Sequence, residues 1–266
     1  MKIKLFLVSA IISLVSISHS HAAIWSTTEI HYQHGTLDVP IFSQTIAASA
    51  STDTYTLQHA SGWEYGDNFF FMDYINDDVE DGFNDQDFYA ELYLNFSLSK
   101  ITGNKVAFGP VKDVGIMMAG NFAGDAKVKK YLPGIRLALA PPGFTFFNID
   151  IMAYIDDSDG VARGGAPTED NSFLVDFNWD YPFTIGNQFF NFTGHLEYAG
   201  SRDNEFGGKV SHWILAQPQL RWDVGQALFN KKNVLFTGIE YQHWQNKLGD
   251  DSTDEKAVQF LLVWRF

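Results

Sequence analysis

The sequence predicts an all-β fold: a transmembrane antiparallel β-barrel of about twelve strands with both termini in the periplasm. Three observations carry this. First, the chain of 266 residues stops on an alternating segment in which Val258, Phe260, Leu262, Trp264 and Phe266 share one face while Gln259 and Arg265 take the other. A period of two with one apolar face marks a strand bathed on one side by an apolar medium. Terminal residues usually fray, so an apolar strand ending in Phe266 must close against a partner. Second, Lys2 and Lys4 precede the apolar run Leu5-Phe6-Leu7-Val8-Ser9-Ala10-Ile11-Ile12-Ser13-Leu14-Val15, which leads to a small-x-small site at Ser20-His21-Ala22. This reads as a secretory leader over residues 1–22, with the barrel over 23–266. The run falls short of the ~20 apolar residues of a spanning helix. Third, alternating segments of ~10 residues recur along the rest of the chain, as a membrane barrel requires.

The first strand is expected at 25–34, with Thr28, Ile30 and Tyr32 opposed to Thr27, Glu29, His31 and Gln33. The second, at 54–60, passes through the Gly62–Gly66 turn region into a third at 69–74. In the fourth, at 88–97, Ala90, Leu92, Leu94 and Phe96 oppose Tyr89, Glu91, Tyr93 and Asn95. A fifth is expected at 114–121 and a sixth at 131–140, with Ile135, Leu137 and Leu139 opposed to Gly134, Arg136 and Ala138. Pro141-Pro142-Gly143 turns the chain into a seventh at 144–155. There Phe147, Ile149 and Ile151 oppose Phe146, Asn148, Asp150 and Tyr154.

The eighth sets Phe173, Val175, Phe177, Trp179 and Tyr181 against Asp176, Asn178 and Asp180. The ninth sets Phe190, Phe192, Leu196 and Tyr198 against Asn191, Thr193, His195 and Glu197. In the tenth, Ile214, Ala216, Leu220 and Trp222 oppose Gln217, Gln219, Arg221 and Asp223, and Pro218 predicts a bulge because it removes a ladder hydrogen bond. The eleventh opposes Leu235, Ile239 and Tyr241 to Glu240, Gln242 and Trp244; the terminal strand is the twelfth.

The two faces differ in kind. One is almost free of charge; the other mixes Asp, Glu, Arg, Asn and aromatics. Lipid outside and a wet lumen inside produce that asymmetry, since a charge facing mid-bilayer costs roughly 2–4 kcal/mol. An even strand number returns both ends to one side, with mostly long, acidic or Gly-rich connections opposite and shorter ones beside the termini. Trp63, Tyr65, Trp179, Tyr181, Tyr198, Trp213 and Trp222 fall near strand ends, where interfacial girdles form. The formal net charge of −14 argues against nucleic acid as partner. The absence of cysteine suits a barrel closed by backbone hydrogen bonds. No Ser-His pairing or hydrolase motif stands out, so no catalytic residue is assigned. The acidic residues Asp77, Asp78, Glu80, Asp81, Asp85 and Asp87 read as a solvated loop, because Val79 occupies a position a calcium loop would need. No metal and no cofactor are expected.

Several stretches resemble the Tsx-like nucleoside-specific outer-membrane channels, most closely their OmpK-type relatives. They are Leu57-Gln58-His59-Ala60-Ser61-Gly62-Trp63-Glu64-Tyr65-Gly66-Asp67-Asn68-Phe69-Phe70-Phe71, Phe96-Ser97-Leu98-Ser99-Lys100-Ile101-Thr102-Gly103, Phe108-Gly109-Pro110-Val111-Lys112-Asp113, Tyr131-Leu132-Pro133-Gly134, Gln217-Pro218-Gln219-Leu220-Arg221, and Gly238-Ile239-Glu240-Tyr241-Gln242-His243-Trp244-Gln245-Asn246-Lys247. The resemblance implies a monomeric twelve-stranded barrel whose narrow lumen passes nucleosides. It also implies a surface used by phages or colicins, and a terminal Phe266 read by the barrel-assembly machinery. Leu94-Asn95-Phe96-Ser97 departs from a Pro-Arg-aromatic-Ser pattern of the family.

A lumen that favours nucleosides needs aromatic faces for the base and polar groups for the sugar. The expected substrate-binding residues are Phe69, Phe71 and Asp73 on the third strand and Tyr89 and Glu91 on the fourth. Phe146 and Asp150 on the seventh join them, with Arg136, Arg221 and Glu240. The charged members among them also suit a structural ladder across the barrel. A general small-solute porin, or a structural or receptor barrel without nucleoside selectivity, is compatible with the same pattern.

Overall fold

The computed structural model describes residues 23–44, 46–80 and 82–266; the expected leader, residues 1–22, lies outside them. Among the described residues, twelve long strands follow in chain order: β1 (Trp25–Asp38), β2 (Ser49–Trp63), β3 (Gly66–Asp77), β4 (Asp87–Ser97), β5 (Val111–Ala123), β6 (Val128–Leu139), β7 (Phe146–Asp156), β8 (Ser172–Ile185), β9 (Gln188–Ala199), β10 in two segments (Trp213–Ala216 and Gln219–Trp222), β11 (Leu235–Gln245) and β12 (Glu255–Arg265). Each pairs antiparallel with its sequence neighbours, and β1 pairs with β12, from Glu29 opposite Arg265 to His34 opposite Phe260. The sheet is therefore closed and has no free edge, the condition for strands in lipid. No helix among the described residues is long and apolar enough to cross a membrane.

The two-residue rhythm sorts the faces as the sequence predicts. On β12, Val258, Phe260, Leu262 and Trp264 are exposed on the outer surface, whereas Glu255, Gln259, Leu261 and Val263 are buried inside. On β1, Glu29, His31 and Gln33 are buried in the interior while Ile30 is exposed outside. Outer aromatics line up across strands: Phe260, Tyr32, Tyr55, Tyr74 and Phe88 follow one another from β12 to β4, with ring centroids 5.1–6.4 Å apart. These rings form one continuous aromatic stretch of the outer surface. Leu220, Ile239 and Phe260 form an outer apolar row across β10, β11 and β12. An Ile239→Arg exchange in that row should lower unfolding free energy in lipid vesicles by about 2–4 kcal/mol. Urea titration of the reconstituted protein measures it; unchanged stability would remove the lipid-facing assignment.

Four local expectations need correction. β1 and β2 run further than expected, to Asp38 and from Ser49, so the connection between them shrinks to residues 39–48. The connection expected at 122–130 is a short turn over 124–127. Beside the termini, two connections are long and carry helices: α1 (Leu98–Thr102), whose first turn is capped by the Ser97 hydroxyl accepting from the Lys100 N–H, and α2 (Val224–Phe229), capped in the same way by Asp223. The expected contrast between long and short ends is thus softened. The bulge expected at Pro218 does not form: three steps separate Ala216 from Gln219, Leu196 from Thr193 on β9 and His243 from Glu240 on β11, so the register runs through, with the Gln217 N–H donating to the His195 carbonyl and the Tyr241 N–H to the Pro218 carbonyl, each at 3.0 Å. Opposite Pro218, Gly194 has a φ of 146°, and a Cβ there would lie 2.3 Å from the Gln217 carbonyl oxygen.

Candidate functional site

The lumen is built from rows of inward side chains that wind from strand to strand. Phe71 on β3 stands beside Glu91 on β4, and Asp73 beside Tyr89. Here the sequence-expected residues come together. The rings of Phe69 and Phe71 are 6.0 Å apart, Phe71 and Tyr89 6.0 Å, and Phe69 and Tyr93 6.2 Å. Both phenols turn onto one carboxylate: Tyr93 donates to Glu91 at 2.6 Å, and Tyr89 donates to its other oxygen. Asp73 accepts from the Thr56 hydroxyl at 2.5 Å. Four rings thus surround a carboxylate whose acceptors are fixed by two hydroxyls, and Phe69 and Phe71 remain only half-buried.

In a ring of twelve strands, β9 and β10 lie opposite β3 and β4. The far wall they belong to is polar and continuously hydrogen-bonded. Arg136 grips Asp150 with two bonds of 2.7 and 2.6 Å, and Asn178 joins Asp150 at 3.1 Å to Asp176 at 2.7 Å. His195 links Asp176 at 3.1 Å to Gln217 at 2.7 Å. Glu240 collects the amides of Gln219, Gln259 and Gln217 at 2.5, 3.1 and 3.4 Å. Gln219 in turn accepts from Arg221 at 2.7 Å.

Near the terminal end, Glu29 is 1% exposed and accepts from Arg265 at 2.6 Å, Arg221 at 3.1 Å, His31 at 2.8 Å and Gln58 at 3.1 Å. Arg136 also reaches Asp67 on β3 at 3.1 Å, and Asn95, at the departure from the family pattern, donates to that same carboxylate at 2.8 Å. Asn95 fits because Gly115, diagonal to it on β5 and paired with Ser97, has no side chain; a Cβ there would sit 1.8 Å from the Asn95 Oδ1.

Of the sequence-expected site residues, Phe69, Phe71, Asp73, Tyr89 and Glu91 form one unit. Arg136 and Asp150 belong to the polar wall with Glu240. Arg221 is committed to Glu29. Phe146 has inward parity with Asn148 and Asp150 but sits exposed at the rim near the termini, away from the ring box. Trp213, expected in the interfacial girdle, is instead buried inside and donates its Nε1 to Glu197 at 3.0 Å. Sequence reading also missed an inward apolar row: Met117, Gly134, Met152, Leu174, Ala199 and Trp213 are direct cross-strand neighbours from β5 to β10. Their inward parity with Asn121, Arg136, Asp150 and Asp176 was the available signal.

Among solved structures, the chain is similar to one described as NanC porin, with a TM-score of 0.52 and 13% identity over 88% of this chain and 98% of that one. It is also similar to one described as KdgM porin, with a TM-score of 0.47 and 11% identity over 90% of this chain and 99% of that one. At such identities the NanC likeness speaks for the barrel fold alone. No curated protein matches the sequence. The family model described as nucleoside-specific channel-forming protein, Tsx, matches residues 43–264.

Proposed function

This chain belongs to the Tsx family of nucleoside-specific channel-forming proteins and is a channel of the Gram-negative outer membrane, and from that premise we propose that it passes nucleosides through its lumen by passive, selective diffusion. The observation that carries this reading is the ring box on β3 and β4, set around the Glu91 carboxylate and facing an amide- and carboxylate-rich wall. A nucleoside is a flat, uncharged base joined to a hydroxyl-bearing sugar. The base finds faces on Phe69, Phe71, Tyr89 and Tyr93, each stacking contact worth ~1–3 kcal/mol in single-strand binders. The sugar finds acceptors on Glu91, Asp73 and Glu240 and donors on the glutamine amides. Because these groups are spread along both walls, a ligand moves between several weak contacts instead of settling in one tight one, as conduction requires.

The reading extends to topology and partners. The leader is removed after residue 22, both termini face the periplasm, and the protein works as a monomer. Phe266 is offered to the barrel-assembly machinery, and the structured loops at the far end form a surface that phages or colicins can grip. Proteoliposome swelling tests the transport claim with adenosine and thymidine against sugars of matched size. Nucleosides should enter several-fold faster. Equal rates would leave a general small-solute porin, and no entry of either class would leave a receptor or structural barrel.

A further inference from the structure

The lumen's far mouth, opposite the termini, holds a second aromatic corner that is already filled. Tyr154 at the end of β7 and Trp213 at the start of β10 stand 5.9 Å apart at 85°. The guanidinium of Arg202 lies in the angle between them, 4.9 Å from the Tyr154 ring and 4.4 Å from the Trp213 ring. Its side chain is 1% exposed. Arg202 comes from the connection between β9 and β10, where a small hairpin pairs Arg202–Asp203 with Lys209–Val210. That connection is bound to the one between β7 and β8: the Asp170 N–H donates to the Asp203 carbonyl at 2.8 Å, and the Glu205 N–H to the Thr168 carbonyl at 2.9 Å. The two connections form one cap, and Arg202 hangs from it into the barrel.

The charge balance around Arg202 divides along the same boundary. Arg202 donates through Nε to Glu169 at 2.8 Å and through Nη1 to the Gly200 carbonyl at 3.1 Å, and both partners belong to the cap. Lys130, on β6, touches Glu169 at 2.6 Å but also holds Asp156, on β7, at 3.0 Å. Were the cap to lift, Arg202 and Glu169 would leave together as a neutral pair while Lys130 and Asp156 would remain together on the barrel. Neither body would be left with an unpaired charge, which is the costly outcome when a buried ion pair is broken. What would stay behind is two rings at a right angle, with the Lys130 ammonium 5.3 Å from the Tyr154 ring and the Glu197 carboxylate on the Trp213 Nε1.

We propose that the corner of Tyr154, Trp213 and Glu197 is an upper base-stacking subsite, occupied in this structure by the planar guanidinium of Arg202, which an incoming nucleoside displaces. The subsite rests on the nucleoside reading; the plug does not. A guanidinium mimics the edge of a base in flatness and in donors, so it covers both rings and excludes water until the ligand arrives.

Single-channel recording of the full mature protein tests this, with KCl conductance and adenosine block as readouts and a compact, heat-modifiable gel band as the check of folding. Arg202→Ala should raise KCl conductance and tighten adenosine block on the order of tenfold, one stacking contact made available. Glu169→Gln, which loosens the anchor and leaves Arg202 in place, should move both in the same direction by less, and it serves if the alanine variant does not fold. In the double variant Arg202→Ala/Trp213→Leu, the tighter block should disappear. Unchanged conductance and block in both single variants would overturn the proposal. A tighter block that survives loss of Trp213 would overturn the subsite, because a wider mouth would then explain it. If conductance rises but no nucleoside blocks any variant, the nucleoside reading fails and the subsite with it, while Arg202 stands as a plug.

Discussion

Replacing Glu29 with alanine should cost the barrel about 3–5 kcal/mol, the range for removing one partner from a buried charge cluster. Glu29 is the common acceptor for Arg265 and Arg221, with His31 and Gln58 on the same carboxylate. Its loss leaves two guanidiniums facing one another in a confined lumen with no anion between them. The positions matter as much as the charges. Glu29 lies on β1, Arg265 directly opposite on β12, and Arg221 on β10, so one side chain ties the closing seam to a strand further round the ring. The compact form on semi-native gels should therefore melt at clearly lower temperature, and the urea midpoint in vesicles should fall. Glu29→Gln keeps the shape and an acceptor and should lose less. A Glu29→Ala protein that melts with the wild type would show that the cluster does not hold the seam.

Replacing Phe71 with alanine should weaken nucleoside block of the ion current by about 1–3 kcal/mol, the value of one base-aromatic contact. Phe71 is the junction of the box, touching Phe69 along its own strand and Tyr89 across β4. Its removal takes away one face and loosens two others. Asp73→Ala acts on the same row through Thr56 and should weaken block as well, because it deletes an acceptor next to Tyr89. Barrel stability should change little in comparison with Glu29→Ala, since Phe71 is half-buried against a wet space. Unchanged block with an intact barrel would exclude β3 from the substrate path.

Much of this architecture was legible because lipid imposes a strict rule on every second residue. On β4, β9 and β12 the inward and outward sets read from the sequence are those of the structure, although Leu261 and Val263 on β12 are apolar and face inward. The rule weakens where water bathes both faces. Thr36, Ser51 and Thr52 lie on paired strands, yet neither face there needs to be apolar, so residues 35–52 read as a loop. It weakens again where both faces are apolar: Met117, Leu132, Met152 and Leu174 are inward, but their outer neighbours are apolar too, and the contrast that marks a face vanishes. Trp213 read as a girdle residue because its position at a strand end is what a girdle Trp would have. The ring box was legible from parity on two adjacent strands. The Glu169 partner of Arg202, the Glu29 partner of Arg221 and the Asp67 contact of Arg136 were not, because they are chosen by closure of the ring and by folding of the cap, which no local period encodes.

The carboxylate of Glu29 and the guanidinium of Arg265 stand 236 positions apart along the chain. Contacts of such separation pay the largest loop-closure entropy and come late. Their union therefore acts as a completion signal: a polypeptide truncated before its final strand keeps Arg221 as a partner for Glu29 but can never make the Glu29–Arg265 pair that closes the ring, and stays recognisable as unfinished.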